Sequence, residues 1–208
     1  MVLIGGVHGD EVGGEVARRF LEYLRQHPRA LPAGVGLTII PSANPDGEAA
    51  GTRGNANGVD INRNFPSRNW SSVLQTGDAP AQGLTGGEAA GSEPETKALL
   101  ACLAEGCDLV VTLHSVGGLI DFDGPGASDL ATRMSEVAGL PVSHMAHQGY
   151  VTGSLGTYVP ERYGAPVITV ELEGADLSPG LRAALLLAAA GLDSTAPLNP
   201  SGPLVSPQ

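Results

Sequence analysis

The chain has 208 residues, of which 42% are hydrophobic, and its formal net charge is −11. This length and apolar content suit a single globular domain whose core needs no disulfide staples. Because nucleic acids and anionic membrane surfaces repel acidic proteins, the charge argues against both as partners. A small anionic substrate would need cations placed locally at its binding site. All the basic residues except Lys97 are arginines. Arginine suits this role because it holds a carboxylate through two parallel hydrogen bonds.

Neither the cysteines nor the hydropathy indicate an exported or membrane protein. Cys102 and Cys107 are predicted to be reduced thiols near the core. No apolar run approaches membrane-spanning length, and no charged-then-apolar leader precedes the first predicted strand. We therefore expect a cytoplasmic location. No pattern in the sequence indicates the oligomeric state.

The first half of the chain alternates between short apolar runs and one helical pattern. Residues 2–6 ("VLIGG") and 36–42 ("GLTIIPS") predict strands, and residues 11–26 predict a helix with Val16, Phe20 and Leu24 on one face. From Asn44 to about Glu88 the sequence is rich in Gly, Asn, Ser and Pro and shows little periodicity. Loops this long inside compact domains are usually functional or disordered.

The second half continues the strand and helix alternation. Ser92 and Glu95 have the spacing of a capping box that opens a helix. The predicted elements that follow are a strand (108–115), a Gly- and Asp-rich turn (116–126), a helix (127–138), a strand (165–174) and a last helix (178–192). This alternation predicts a mostly parallel sheet covered on both faces, within a domain spanning residues 1–194. Residues 195–208 are predicted to be a Pro-rich tail, extended or disordered.

Three of the predicted strands end in polar side chains of catalytic type. The first runs into His8 and Glu11, "LVVTL" runs into His114, and "VITV" runs into Glu171. Ligands of open α/β sheets bind at the carboxyl ends of the strands. Two imidazoles and one carboxylate form a catalytic zinc set that keeps its fourth position for water, and a second carboxylate can take the proton from that water. Taken singly, each residue also has a structural explanation, such as a hydrogen-bonded His or a first-turn carboxylate.

Several motifs in order resemble the zinc carboxypeptidase (funnelin) family. They are "HGDE", "NPDG", "GTRGNANGVDINRNFP", "LHS" and "TVEL", which together extend over most of the chain. Within that family, the sequences of the long loop and of the segments "DFDGPG" and "GSLGTYV" are most similar to those of bacterial murein peptide amidases. The resemblance implies a three-layer α/β/α fold with a mostly parallel, mixed central sheet.

The resemblance also implies a metal centre. His8, Glu11 and His114 match the ligands of one Zn²⁺ per chain, and Asp60 matches a carboxylate that orients the first zinc-binding imidazole. Such a partner is typical, because a metal-bound imidazole usually donates its other N–H to a carboxylate or carbonyl.

The substrate-handling residues follow from the same resemblance. Glu171 matches the general acid/base, and Arg53 matches the arginine that polarises the scissile carbonyl. Asn62 and Arg63 match the pair that clamps the terminal carboxylate of the substrate. Tyr150 lies near the place of the mobile active-site tyrosine, although its spacing to "GS" differs from the family pattern. An alternative for the charged residues of the loop is a salt-bridge network that staples the loop in place.

The function implied by the resemblance is removal of a C-terminal residue or hydrolysis of a nearby amide. Among murein peptide amidases the substrate is the anionic tripeptide L-alanyl-γ-D-glutamyl-diaminopimelate, cut at its γ-glutamyl bond in peptidoglycan recycling. Asp121 or Asp123 could meet the diaminopimelate ammonium, but an Asp-Gly turn is the commoner explanation. Two alternatives stay open. One is a deacylase that resembles succinylglutamate desuccinylase and aspartoacylase, and the other is a catalytically silent muropeptide-binding module.

Two features depart from the family pattern. Only seven residues precede His8, where family members usually carry some tens, so we expect an uncovered sheet edge. Gly13 and Gly14 are expected to weaken the helix that follows the ligands, because an interior glycine costs about 0.5–1 kcal/mol relative to alanine.

Overall fold

The computed structural model describes residues 1–74, 83–115, 117–144 and 151–191. The strands in these ranges are β1 (Val2–Ile4), β2 (Thr38–Ile40), β3 (Val110–His114), β4 (Leu119–Asp123) and β5 (Val167–Glu171). The helices are α1 (Gly13–Gln26), α2 (Pro45–Ala50), α3 (Pro94–Ala104), α4 (Ala127–Ala138), α5 (Leu155–Tyr163) and α6 (Pro179–Ala190), with one 3₁₀ turn at Ile61–Arg63.

The strands form one mixed sheet in the order β2-β1-β3-β5-β4. All neighbouring pairs are parallel except β4 and β5, which are antiparallel. The prediction of a mostly parallel, mixed sheet is therefore confirmed. Because β1, β3 and β5 lie side by side and run in the same direction, their carboxyl ends share one edge.

Two hydrophobic clusters cover the two faces of the sheet. One face packs against α1, α4 and α6 through residues such as Phe20, Met134 and Leu185. The other face packs against α3 and α5 through residues such as Leu103 and Val159. Strand residues alternate between the clusters, as the period of two along a strand requires. The three-layer α/β/α prediction is confirmed.

The structure corrects three local predictions. Residues 119–123, predicted as part of a Gly- and Asp-rich turn, form β4, because all five of them pair with β5. The unassigned segment 155–163 forms α5, whose N-cap Ser154 accepts a hydrogen bond from the Thr157 N–H. The predicted capping box at Ser92 and Glu95 is wrong, since the N-cap of α3 is Glu93 and no side chain caps the helix.

The glycines at the start of α1 have a packing role that the sequence analysis read as a weakness. A Cβ on Gly13 would lie 2.0 Å from the Leu113 carbonyl oxygen, and one on Gly14 would lie 2.0 Å from a Glu48 carboxylate oxygen. At Gly13 the close atom is backbone, so no side chain fits there, and glycine lets the first turn of α1 approach β3 closely. At Gly14 the Glu48 side chain could move, but the Pro41 carbonyl oxygen lies 2.9 Å from the added Cβ.

The predicted Pro-rich tail, residues 195–208, lies outside the described residues. The assignment of residues 1–194 to one catalytic domain stays a prediction. The described helices include none that is both long enough and apolar enough to cross a lipid bilayer.

Candidate functional site

The carboxyl edge of the sheet brings three predicted ligands together. His8 and Glu11 lie in the tight connection between β1 and α1, and His114 is the last residue of β3. One donor atom from each of the three side chains lies within 4.8 Å of the other two. His8 and His114 are 2–3% exposed, so their rings have little contact with bulk water.

The donor atoms of this triad form a compact triangle. His8 Nδ1 lies 2.7 Å from Glu11 Oε1 and 3.1 Å from His114 Nδ1. His114 Nδ1 lies 3.0 Å from Glu11 Oε2. Tetrahedral zinc with ligands at about 2.0–2.2 Å separates its donor atoms by roughly 3.3 Å, so the triangle is close to the size that zinc requires.

The backbone after β3 holds the Glu11 carboxylate in place. The Ser115 N–H donates to Glu11 Oε2 over 3.0 Å, and the Ser115 hydroxyl accepts from the Val12 N–H over 3.1 Å. Ser115 thus ties the ligand turn of β1 to the end of β3. In the sequence, the available signal for this role of Ser115 is its place in "LHS", directly after a predicted ligand.

Asp60 lies behind His8 and contacts the ring nitrogen that faces away from the triad. The distance between His8 Nε2 and Asp60 Oδ1 is 3.1 Å, and Asp60 is 2% exposed. Burial by itself would raise the pKa of Asp60, but the charge of His8 and of two nearby arginines holds it well below the usual value. The carboxylate is therefore ionised, and it can hold the ring of His8 in one orientation.

The electrostatics of the triad favour a bound positive charge. Burial alone would lower the pKa of His8, but the charges and hydrogen bonds of Asp60 and Glu11 raise it to about 9. The pKa of Glu11 is correspondingly low, because hydrogen bonds from His114 and His8 outweigh its burial. A proton on His8 would supply a positive charge beside these carboxylates. A divalent cation at the facing Nδ1 atoms of His8 and His114 would also supply it. The donor set, its size and its charge all fit a metal ion.

Arg53 joins the same cluster from the long loop. Its Nε donates to Asp60 Oδ2 over 2.9 Å, and its Nη1 donates to Glu11 Oε1 over 3.3 Å. Burial by itself would lower the pKa of Arg53, but Asp60 and Glu11 raise it. The side chain is 23% exposed, so part of the guanidinium reaches the solvent beside the triad. These contacts agree with both interpretations of the residue, a substrate-facing cation and a loop-stapling ion pair.

Glu171 is the last residue of β5 and the cross-strand neighbour of His114. Directly paired residues of adjacent strands lie about 4.8 Å apart and point to the same face. Two residues earlier on the same face, the Thr112 hydroxyl donates to the Thr169 hydroxyl over 3.2 Å. The sheet therefore places Glu171 beside the triad, on the face covered by α3 and α5.

Asn62 and Arg63 follow Asp60 in the 3₁₀ turn. Asn62 accepts a hydrogen bond from the Leu155 N–H at its Oδ1 over 3.0 Å, which leaves its Nδ2 with no protein acceptor among the described residues. Arg63 is 7% exposed and donates from Nη1 to the Asn62 carbonyl over 2.8 Å. The turn thus carries a cation and an amide donor next to the residue that holds His8. Tyr150, the remaining predicted site residue, lies outside the described residues.

Comparison with known proteins agrees with this geometry. The sequence profile of the zinc carboxypeptidase family matches residues 1–136, which include the triad, Asp60 and Arg53. Murein peptide amidase A of Vibrio campbellii is 34% identical over 180 residues, covering 82% of this chain and 68% of the relative. Murein peptide amidase A of Escherichia coli K12 is 33% identical over 187 residues, covering 76% of this chain and 64% of the relative.

A solved structure extends the match to the fold. The crystal structure of the murein-tripeptide amidase of Escherichia coli O157 superposes with a TM-score of 0.68 at 28% identity, covering 95% of this chain and 82% of that one. The family profile covers more than half of the chain, and the sequence relatives exceed 30% identity over more than two thirds of it. The chain belongs to the zinc carboxypeptidase family of peptide-bond hydrolases.

Proposed function

We propose that this protein is a zinc-dependent metallopeptidase that hydrolyses the γ-D-glutamyl-diaminopimelate bond of murein tripeptide. The observation that carries the proposal is the convergence of His8, Glu11 and His114 beside Glu171 at one sheet edge. The murein peptide amidases among its relatives support the substrate. One Zn²⁺ per chain, a cytoplasmic location and a role in peptidoglycan recycling belong to the same proposal.

The residues around the triad divide the chemical work. Zinc held by the triad would supply Lewis acidity for water and for the scissile carbonyl. Glu171 takes a proton from the attacking water and passes it to the departing amine. Arg53 faces the oxyanion that develops on the scissile carbonyl, where a cation in a dry site is most effective.

The 3₁₀ turn orients the substrate. Arg63 and the Nδ2 group of Asn62 hold the terminal carboxylate of the leaving residue, which fixes the register of the peptide on the metal centre. A planar guanidinium makes two parallel hydrogen bonds to a carboxylate and so sets direction as well as affinity. This local cation explains how a protein of net charge −11 accepts an anionic peptide.

An acidic stretch of the sheet suits a leaving residue that carries an ammonium group, as diaminopimelate does. Asp121 pairs with Thr169 and Asp123 pairs with Val167, two and four residues before Glu171 on β5. Both aspartate side chains therefore lie on the same face of the sheet as Glu171. Asp121 is 6% exposed. Burial, together with the charge of Asp121, raises the pKa of Asp123 to about 6. An ammonium bound between two carboxylates would relieve their repulsion.

This arrangement predicts a pH effect on the Michaelis constant. Asp123 is ionised above about pH 6 and becomes neutral as the pH falls through that value. The KM for the diaminopimelate peptide should therefore rise between pH 7 and pH 5, by up to about tenfold. The measurement compares this peptide with an analogue whose leaving residue lacks the side-chain ammonium, because effects of pH on the metal centre cancel in the ratio. In Asp123→Asn the ratio should be flat; a flat ratio in the unmodified enzyme contradicts the assignment.

Metal analysis combined with peptide cleavage tests the proposal as a whole. Protein loaded with zinc should contain about one ion per chain and release diaminopimelate from the tripeptide. Hydrolysis of N-acyl amino acids in place of the peptide would favour the deacylase alternative. Tripeptide binding without turnover by the zinc-loaded protein would favour the silent binding module.

A further inference from the structure

Glu93 is a buried carboxylate with no place in the proposed mechanism. It lies directly before α3 and is 4% exposed. It accepts hydrogen bonds from Asn55 Nδ2 and Asn57 Nδ2, both over 2.8 Å, and from the Ser92 hydroxyl over 2.5 Å. Burial by itself would raise the pKa of Glu93, but these three hydrogen bonds lower it, so the group is ionised. A buried charge is costly unless it is fully hydrogen-bonded, as this one is.

Asn55 carries the contact with Glu93 into the turn at residues 54–59. Its Oδ1 accepts from the N–H groups of Asn57 (3.1 Å) and Val59 (3.0 Å), and its own N–H donates to the Val59 carbonyl (2.9 Å). Both amide ends of Asn55 are thereby in use, one toward Glu93 and one toward the turn. The side chain of Glu93 therefore holds the Asn55 side of the turn, while backbone hydrogen bonds of Gly58 and Asp60 with Thr85 hold the other side.

The turn at residues 54–59 lies between two residues that contact the triad. Arg53 precedes it, Asp60 follows it, and their side chains meet over 2.9 Å between Nε and Oδ2. The carboxylate clamp, Asn62 and Arg63, has anchors of its own, since Asn62 accepts from the Leu155 N–H and the neighbouring Asn64 donates to the carbonyls of Gly86 and Ala89. Asn64 also accepts from the Glu93 backbone N–H, which a side-chain substitution keeps, and reaches the Glu93 carboxylate only through the Ser92 hydroxyl. A substitution at Glu93 should therefore displace Arg53 more than it displaces Asn62 or Arg63.

We propose that Glu93 is a positioning residue that holds Arg53 against Asp60 by fixing the turn at residues 54–59. It contacts neither the triad nor the carboxylate clamp in any hydrogen bond of the described residues. The kinetic part of this inference rests on the proposed function, because it assigns Arg53 to the oxyanion. The structural part, a local effect on the turn, stands apart from any activity.

Glu93→Leu is the test variant, since it keeps the approximate size of the side chain but removes both carboxylate oxygens. Asn55 Nδ2 and Asn57 Nδ2, which both donate to Glu93 Oε2, then lose the acceptor that they share. We expect kcat for the γ-D-glutamyl tripeptide to fall about tenfold while KM stays within about twofold, because the oxyanion contact is made only in the transition state. Hydrogen exchange in a peptide covering residues 54–60 should become about tenfold faster, with exchange in β1, β3 and β5 unchanged.

Two further variants complete the test. Glu95→Gln keeps a side-chain oxygen that can accept the 3.1 Å contact from Asn55 Nδ2 and leaves Glu93 in place, so it should behave as the unmodified protein in both measurements. Asn57→Ala removes one hydrogen bond of Glu93 at an exposed position, so it should fold and shift exchange and kcat in the same direction by a smaller factor.

The outcomes separate the inference from the proposed function. Equal acceleration of exchange in the turn and the central strands of Glu93→Leu would make Glu93 a general stability residue and overturn the inference. A rise in KM at constant kcat would overturn it too. If the unmodified protein cleaves no tripeptide, the proposed function fails, and exchange in the turn still decides whether Glu93 positions it.

Discussion

Replacing Glu171 with Gln is expected to lower hydrolysis of the murein tripeptide by about 10²–10⁴-fold, the usual contribution of a positioned acid or base. Glutamine keeps the size and hydrogen-bonding capacity of the side chain but cannot take a proton from water. The predicted ligands are His8, Glu11 and His114, so zinc content should stay near one per chain. Turnover under substrate saturation and metal analysis of the same sample give both quantities.

Glu173 supplies a matched control for this experiment. It is an exposed glutamate two residues beyond Glu171, past the end of β5, and Glu173→Gln should keep full activity. Undiminished hydrolysis by Glu171→Gln would remove the residue from the proton-transfer role. Loss of zinc together with activity would instead make Glu171 part of the metal-binding set.

The convergence of the candidate metal ligands was predictable from sequence because each of their strands carries the signal locally. An apolar β-branched run that ends in His114 or Glu171 specifies a buried strand and a polar terminus without reference to any partner. Parallel pairing then places those termini at one edge, as the direct pairing of His114 with Glu171 shows. The use of Nδ1 by His8 depends on Asp60, which lies 52 residues from His8 and has no local signature of this contact.

The elements missed by the sequence analysis are those whose stability comes from tertiary pairing. The alternation in "LIDFD" is typical of a strand, but the flanking glycines and the aspartates favoured a turn. The segment forms a strand because it pairs with β5 along its whole length. Asp121 and Asp123, predicted to lie in a turn, therefore lie on one face of the sheet. In α5, Gly156 and Pro160 lower the local helical propensity, while burial of Leu155 and Val159 between loop and sheet offsets it.

Glu93 illustrates a different limit of sequence reading. Its segment, "SEPET", has a helix-start pattern, and the helix does begin at Pro94. The Glu93 side chain nevertheless does not cap the helix. Its carboxylate accepts hydrogen bonds from Asn55 and Asn57 of the long loop instead. A local motif predicts where a helix begins but not whether its polar side chains serve the helix or another part of the molecule.

Arg53→Lys is expected to lower kcat for the tripeptide by about 10²–10³-fold, with little change in KM. The guanidinium of Arg53 donates to Asp60 and Glu11 from different nitrogens, and the side chain is 23% exposed. A lysine ammonium is a single point charge and cannot hold both carboxylates and face the oxyanion at once. Steady-state kinetics over a range of tripeptide concentrations separates kcat from KM.

The matched variant Arg63→Lys distinguishes the oxyanion role from the loop-stapling alternative. Since Arg63 is assigned to the terminal carboxylate in both ground and transition states, its substitution should raise KM more than it lowers kcat. If Arg53 only staples the loop to Asp60, Arg53→Lys would lower the melting temperature, and the folded fraction would keep its kcat. Opposite kinetic signatures at two arginines ten residues apart would instead mean that one loop delivers one cation to binding and another to the chemical step.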